Sequence, residues 1–295
     1  MLHSTIRRWF FAQHNRTANM KIAALGKLYL TMALSLGVNL FLLNTAQAQT
    51  ASPSNAAPPT GATSHLPTLF LIGDSTVNNG GRGLQGWGKS LPVFFDLTKI
   101  NVVNRARGGR SSRTFLTEGL WAKVVAELQP GDFVLMQFGH NDGGSLNTNN
   151  RASLKGNGDE TQEVVDKATG KTEVVHTYGW YLRQYIADTK AKGATPIVLS
   201  LVPRNDWING KVVRASNGYG RWAAAAAQAG GAAFVDLNEI IAKHYDALGQ
   251  DKVKTFFPFE HTHTNKEGAD LNAASVVEGL KGLKNCPLVA YLTPQ

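Results

Sequence analysis

The 295-residue chain has a single cysteine, Cys286, and only 17% of its residues are Asp, Glu, Lys or Arg. One thiol closes no intrachain disulfide and makes no cysteine-based zinc site, so a stapled mini-protein and a zinc finger are both excluded. With 43% hydrophobic residues the chain has enough apolar material for a sizeable core, which excludes a disordered or collagen-like polymer. A comfortable transmembrane run is missing too. The sixteen residues from Leu28 to Leu43 are interrupted by Thr31, Ser35 and Asn39, whereas a bilayer needs roughly 20 apolar residues. Internal repeats are absent. Acidic residues are absent before residue 49, a stretch that holds Arg7, Arg8, Arg16, Lys21 and Lys27.

Lys21 and Lys27, the short apolar segment and the small-x-small site Ala46-Gln47-Ala48 are the three parts of a secretory signal peptide, expected over residues 1–48. Its removal lowers the formal net charge from +9 to +4 and leaves no dense basic run. Nucleic acid, whose phosphates need clustered Lys and Arg, is therefore not expected as a partner. Residues 49–67 read as a Pro/Ser/Ala-rich linker, and residues 68–295 as the folded domain, a length suited to one α/β unit. The leader predicts a secreted or periplasmic protein with no stable membrane insertion after cleavage.

Five apolar runs predict buried strands at Leu69–Gly73, Ile100–Asn104, Phe133–Phe138, Pro196–Val202 and Ala232–Leu237. Helical spacing is expected near Gly86–Leu97, Glu118–Leu128, Thr177–Lys192, Ser216–Ala229 and Lys266–Leu283, and a hairpin within Glu163–Val175. Strand–helix alternation with continuously apolar strands predicts a parallel sheet covered on both faces. Ligands of such sheets bind beyond the carboxyl ends of the strands, which directs attention to the residues just after each run.

Polar, Gly-rich clusters stand there: Gly73-Asp74-Ser75-Thr76, then Asn104 through Ser111, then Gly139-His140-Asn141-Asp142, and before the last helix Glu260-His261-Thr262-His263. Nucleophilic catalysis needs a hydroxyl, a base, a group that orients the base, and donors for a developing oxyanion. Ser75, His263 and Glu260 are of the right types for the first three roles. Gly109 offers an unobstructed N–H and Asn141 a neutral amide donor.

These blocks resemble those of the GDSL/SGNH hydrolases. Within that group Gly86-Trp87-Gly88, Gly109-Arg110-Ser111, the run Phe138 to Leu146 and His261-Thr262-His263-Thr264 are similar to the rhamnogalacturonan acetylesterases. The resemblance spans nearly the whole domain. It implies a three-layer α/β/α, flavodoxin-like fold with a five-stranded parallel sheet, and cofactor-free removal of O-acetyl groups from a pectic polysaccharide. It also implies Ser75 as nucleophile, His263 as base, and the N–H groups of Ser75 and Gly109 with the Asn141 amide as oxyanion donors. The family pattern has Asp where this chain has Glu260, one methylene longer.

Other readings of the same residues stay in view. Acetylxylan, lipid or thioester substrates would use the same residues, and a non-enzymatic carbohydrate-binding protein would use only the tryptophans. Among Trp87, Trp121, Trp180, Trp207 and Trp222, Trp207 is the preferred sugar platform because it follows the fourth strand. Arg204 and Arg110 are candidate substrate contacts. Glu260, His261 and His263 with His140 are metal-ligating types, but no metal is expected. His261 is expected to pack or hydrogen-bond locally while His263 serves as base. Gly81-Arg82-Gly83-Leu84-Gln85-Gly86 matches the dinucleotide pattern but does not directly follow the strand, so it is read as a loop leading into a helix. Position 77 is Val rather than the Gly of a nucleophile elbow, which disfavours an α/β-hydrolase.

Overall fold

The computed structural model describes residues 65–148 and 150–294. The leader expected over residues 1–48, and the linker except for residues 65–67, lie outside the described residues.

Five strands form one parallel sheet: β1 Thr68–Gly73, β2 Asn101–Asn104, β3 Phe133–Gln137, β6 Thr195–Leu199 and β9 Ala233–Val235, in the order β2-β1-β3-β6-β9. Every residue of β1 is buried. Its alternation then divides the core in two. Leu69 and Leu71 face one side, with Trp87, Ile241, Tyr245, Val276 and Leu280, while Phe70 and Ile72 face the other, with Phe115, Trp121, Tyr185 and Ala226. Helices α1 (Trp87–Ser90), α6 (Leu237–Leu248) and α8 (Lys266–Lys281) thus cover one face. Helices α2 (Ser112–Thr117), α3 (Leu120–Glu127), α4 (Tyr178–Ala191) and α5 (Tyr219–Gly230) cover the other. This is the expected three-layer flavodoxin-like arrangement. Its switch point lies at β1, from which the chain leaves to β2 on one side and later pairs with β3 on the other.

Several boundaries differ from the sequence expectation for identifiable reasons. The strand expected through Val202 ends at Leu199, and the Ser200 that follows donates its hydroxyl to Asp236 at 2.8 Å. Asp236 also caps α6, which the sequence reading did not assign. The apolar run Ala232–Leu237 therefore splits into a three-residue strand, a cap and the first residue of that helix. The edge strand β2 is exposed or half-buried instead of continuously buried. The segment expected as one helix over Gly86–Leu97 is the short α1 followed by a 3₁₀ turn, Leu91–Phe94, that begins around Pro92. Ser111 closes a capping box that starts α2, a helix also absent from the sequence reading. The expected hairpin is β4 (Thr161–Val165) with β5 (Thr172–His176). A short ribbon, β7 (Trp207–Ile208) with β8 (Lys211–Val212), follows β6, and the small helix α7 (Gln250–Lys254) precedes the segment that carries His263. Ala223, Ala226 and Ala227 pack α5 closely on the sheet, as their small size predicts.

Candidate active site

β1 ends on Gly73, where an added Cβ would lie 2.5 Å from the Gln137 carbonyl and 2.6 Å from Val77, so the backbone approach admits only glycine. The chain then makes one helical turn, with the N–H groups of Val77 and Asn78 donating to the Asp74 carbonyl at 3.2 and 3.0 Å. The Asp74 carboxylate is fully buried and accepts from the N–H and hydroxyl of Thr76, both at 2.8 Å. Gln137 donates to Thr76 Oγ1 at 2.7 Å and accepts from Trp87 Nε1 at 2.8 Å. Ser75 sits in this locked turn with no partner for its own N–H among the described residues.

The loop after β2 lies against the turn. Asn104 donates to the Val77 carbonyl at 3.2 Å, Asn78 donates to the Ala106 carbonyl at 2.7 Å, and Arg107 N–H donates to the Gly73 carbonyl at 3.0 Å. A Cβ on Gly108 would come to 3.6 Å from Ser75 Cβ. Gly109 follows with φ +77°, a conformation that favours glycine, and its N–H is likewise without a partner among the described residues. From the loop after β3, Asn141 Nδ2 donates to the Arg110 carbonyl at 3.1 Å. Its Oδ1 accepts from Arg151 at 3.1 Å, which sets the amide orientation. Arg151 was not singled out from sequence; its partner is ten residues away and no short motif joins them.

His263 reaches this corner from the segment before α8. Its Nε2 is 2.7 Å from Ser75 Oγ and its Nδ1 is 2.8 Å from Glu260 Oε1. Glu260 also accepts the N–H of His263 at 2.6 Å and of Thr262 at 2.8 Å. The longer side chain thus curls back on its own loop. Burial pushes the Glu260 carboxyl upward, but these two N–H groups and the imidazole outweigh it and hold the pKa below the usual value, favouring the carboxylate. The segment is fixed to the rest of the site by Gln85 N–H to the Thr264 carbonyl at 2.8 Å and by Thr264 Oγ1 to the Gln85 carbonyl at 3.1 Å. The glycine-rich loop from Gly81 to Gly86 thereby supports the His263 segment.

His261, expected to pack or hydrogen-bond locally, is instead bonded to a distant loop, with Nδ1 2.7 Å from Asp206. Among the described residues no three His, Cys, Asp or Glu side chains are grouped to hold a metal ion. Trp207 is half-buried, packed against the core, and its indole N–H donates to Asn205 at 2.7 Å. Trp87 and Trp121 are core residues, and Trp180 stacks on His176 with ring centroids 3.7 Å apart. Arg110 pairs with Glu118 at 2.8 Å, and Arg204 touches the His140 carbonyl at 3.5 Å. Behind Asn141, Asp142 is fully buried and accepts from the N–H and hydroxyl of Ser112 and the hydroxyl of Ser153. Burial raises its pKa to about 7 against those donors.

A hydroxyl, an imidazole and a carboxylate in hydrogen-bonded series, with unpartnered N–H groups beside the hydroxyl, can perform acyl transfer. Comparison with known proteins points the same way. The model of the GDSL-like lipase/acylhydrolase family matches residues 71–271. The rhamnogalacturonan acetylesterase of Emericella nidulans is 37% identical over 214 residues, 72% of this chain and 84% of that one. The Bacillus subtilis protein named "Probable rhamnogalacturonan acetylesterase YesY" is 32% identical over 73% of this chain and 93% of its own length. The crystal structure of Bacillus subtilis YxiM, 25% identical, shares the fold with a TM-score of 0.61 over 74% of this chain. The match spans 57% of that longer protein.

Proposed function

Because the chain belongs to the GDSL-like lipase/acylhydrolase family, we propose that it is a serine esterase that removes O-acetyl groups from a rhamnogalacturonan-type pectic polysaccharide. It is a carboxylic ester hydrolase, and the observation that carries the mechanism is the series Glu260–His263–Ser75 at 2.8 and 2.7 Å. Ser75 Oγ attacks the acetyl carbonyl carbon while its proton passes to His263 Nε2. Glu260 accepts the Nδ1–H, which fixes the tautomer and favours the imidazolium. The oxyanion is received by the N–H groups of Ser75 and Gly109 and by the Asn141 amide. His263 returns the proton to the leaving sugar oxygen, and water repeats the cycle on the acetyl-enzyme. No step requires a cofactor.

The substrate reading draws on relatives named for rhamnogalacturonan at 37% and 32% identity. A secreted or periplasmic location suits a polymeric substrate and the basic, then apolar, leader. Acetate release measured over a panel of acetylated polysaccharides tests the substrate, with rhamnogalacturonan expected to be the fastest. A higher rate on acetylxylan would overturn it. A sulfonyl fluoride is expected to label Ser75 and abolish hydrolysis of p-nitrophenyl acetate. Full activity after labelling elsewhere would remove Ser75 from the mechanism.

A further inference from the structure

Asn141 supplies the side-chain donor of the oxyanion hole, and an amide donates only where its nitrogen is turned the right way. Its Nδ2 donates to the Arg110 carbonyl at 3.1 Å, which uses one of the two N–H bonds and leaves the other. Its Oδ1 lies 3.1 Å from Arg151 Nη1. A guanidinium has donors and no acceptor, whereas a carbonyl accepts and cannot donate. Half a turn of the amide would therefore set N–H against N–H at Arg151 and oxygen against oxygen at Arg110. Both neighbours select the same orientation.

Arg151 is delivered to Asn141 from the buried side of its loop. The two residues that follow it, Ala152 and Ser153, are 1% and 4% exposed. Ser153 donates its N–H to the Asp142 carbonyl at 3.0 Å and its hydroxyl to the Asp142 carboxylate at 3.2 Å, so the chain around Arg151 runs beside the chain around Asn141. The carbonyls of Leu146 and Ala152 both accept from Arg113 Nη1 at 2.9 Å. Arg113 is fully buried and is itself fixed by both oxygens of Glu173 at 2.8 and 2.6 Å. The loop that carries Arg151 is thus closed at its base by groups outside the reacting series. Among the described residues the bond to Asn141 is the one hydrogen bond the Arg151 guanidinium makes. A cation on an amide oxygen draws electron density from the nitrogen, and the remaining N–H becomes a stronger donor.

We propose that Arg151 is a positioning residue for the oxyanion hole: it holds the Asn141 amide with one N–H left for the acetyl oxyanion, and its charge strengthens the bond that N–H gives. The assignment rests on the oxyanion role given above to Asn141 and deepens it. Because the amide is needed most when the oxygen carries charge, the loss of Arg151 falls on the chemical step and not on ester binding.

Hydrolysis of p-nitrophenyl acetate tests this without polysaccharide contacts. Arg151→Met is expected to lower kcat by about tenfold with KM and Tm little changed, and Arg151→Lys, which keeps a charged donor, to recover most of the loss. Asn141→Ala should lower kcat by about 10²-fold or more. The double variant Asn141→Ala/Arg151→Met should be no slower than Asn141→Ala alone, because Arg151 acts through the amide. Inhibition by an aryl trifluoromethyl ketone, whose adduct with Ser75 carries an oxyanion, should weaken in Arg151→Met by the factor that kcat/KM loses. A further fall in the double variant as large as in the single one, or a lowered kcat with unweakened ketone inhibition, would make Arg151 a support of the loop and overturn the inference. A slow Asn141→Ala beside a fully active Arg151→Met removes Arg151 alone. Full activity in Asn141→Ala removes the oxyanion role of Asn141, and the inference with it.

Discussion

Ser75 and His263 meet at 2.7 Å but are held there by opposite means. The Ser75 turn grows from a strand with no exposed residue, and the groups that lock it, Asp74, Thr76, Gln137 and Trp87, are all buried. The His263 loop is open to solvent, with side-chain exposures of 28% for His263 and 42% for Glu260, and the bonds that Glu260 makes stay within three residues. The nucleophile therefore takes its position from the sheet, whereas the base and its carboxylate form a small rigid unit that has to be delivered whole. Bonds from Gln85 and Asn205 to carbonyls of that segment, at 2.8 and 2.7 Å, make the delivery. Damage to the buried groups that lock the first half should unfold the protein; damage to the second should slow it.

The sharpest contrast is Ser75→Ala, which removes a hydroxyl bonded, among the described residues, only to His263. Its kcat should drop by roughly 10⁴-fold or more while thermal unfolding stays unchanged, and a large fall in Tm would show that the hydroxyl supports the turn. In the exposed half, Glu260→Ala should lower kcat by about 10²–10⁴-fold with little change in Tm. Glu260→Asp should preserve or raise kcat, because one carboxylate oxygen can still reach Nδ1. An unchanged rate in the alanine variant would remove Glu260 from the mechanism.

The buried half should fail differently. Gly73→Ala places a methyl 2.5 Å from the Gln137 carbonyl, which should destabilise the fold by about 2–4 kcal/mol in denaturant unfolding. Normal stability would mean that β1 and β3 can separate at that point. The smallest effect concerns Asp142, whose pKa burial raises to about 7. The folded state then holds that proton more tightly than the unfolded chain does, so this group favours folding at acid pH, and its contribution is lost as pH rises through about 7. Asp142→Asn cannot ionise. The Tm of the variant minus that of the wild type should increase from pH 5 to pH 8, and a constant difference would show that the carboxyl is already ionised at the lower pH.

Legibility in the sequence obeys the same division. Ser75, Gly109 and Asn141 stand directly after apolar runs, so the parallel-sheet rule alone brings them to one edge. His263 and Glu260 carry their spacing on the chain. Contacts between distant loops carry no such mark: the Asp206–His261 pair joins residues 55 apart, and the Arg151–Asn141 bond is not part of any short pattern. Helix α6 could have been found, since Asp236 with Glu239 three residues on is a helix-start signature. The apolar residues around Asp236 favoured a longer strand instead.

The 188 residues that separate Ser75 from His263 also set a timetable. The sheet strands, the Gly109 loop and the Asn141 loop are all made before the ribosome reaches the segment that supplies the base. Helix α8, which comes after that segment, packs on the face that β1 presents. A nascent chain therefore carries its serine through most of synthesis without the group that activates it. Recovery of esterase activity on refolding consequently reports completion of the fold, and a chain truncated before His263 would be silent however well its sheet had formed.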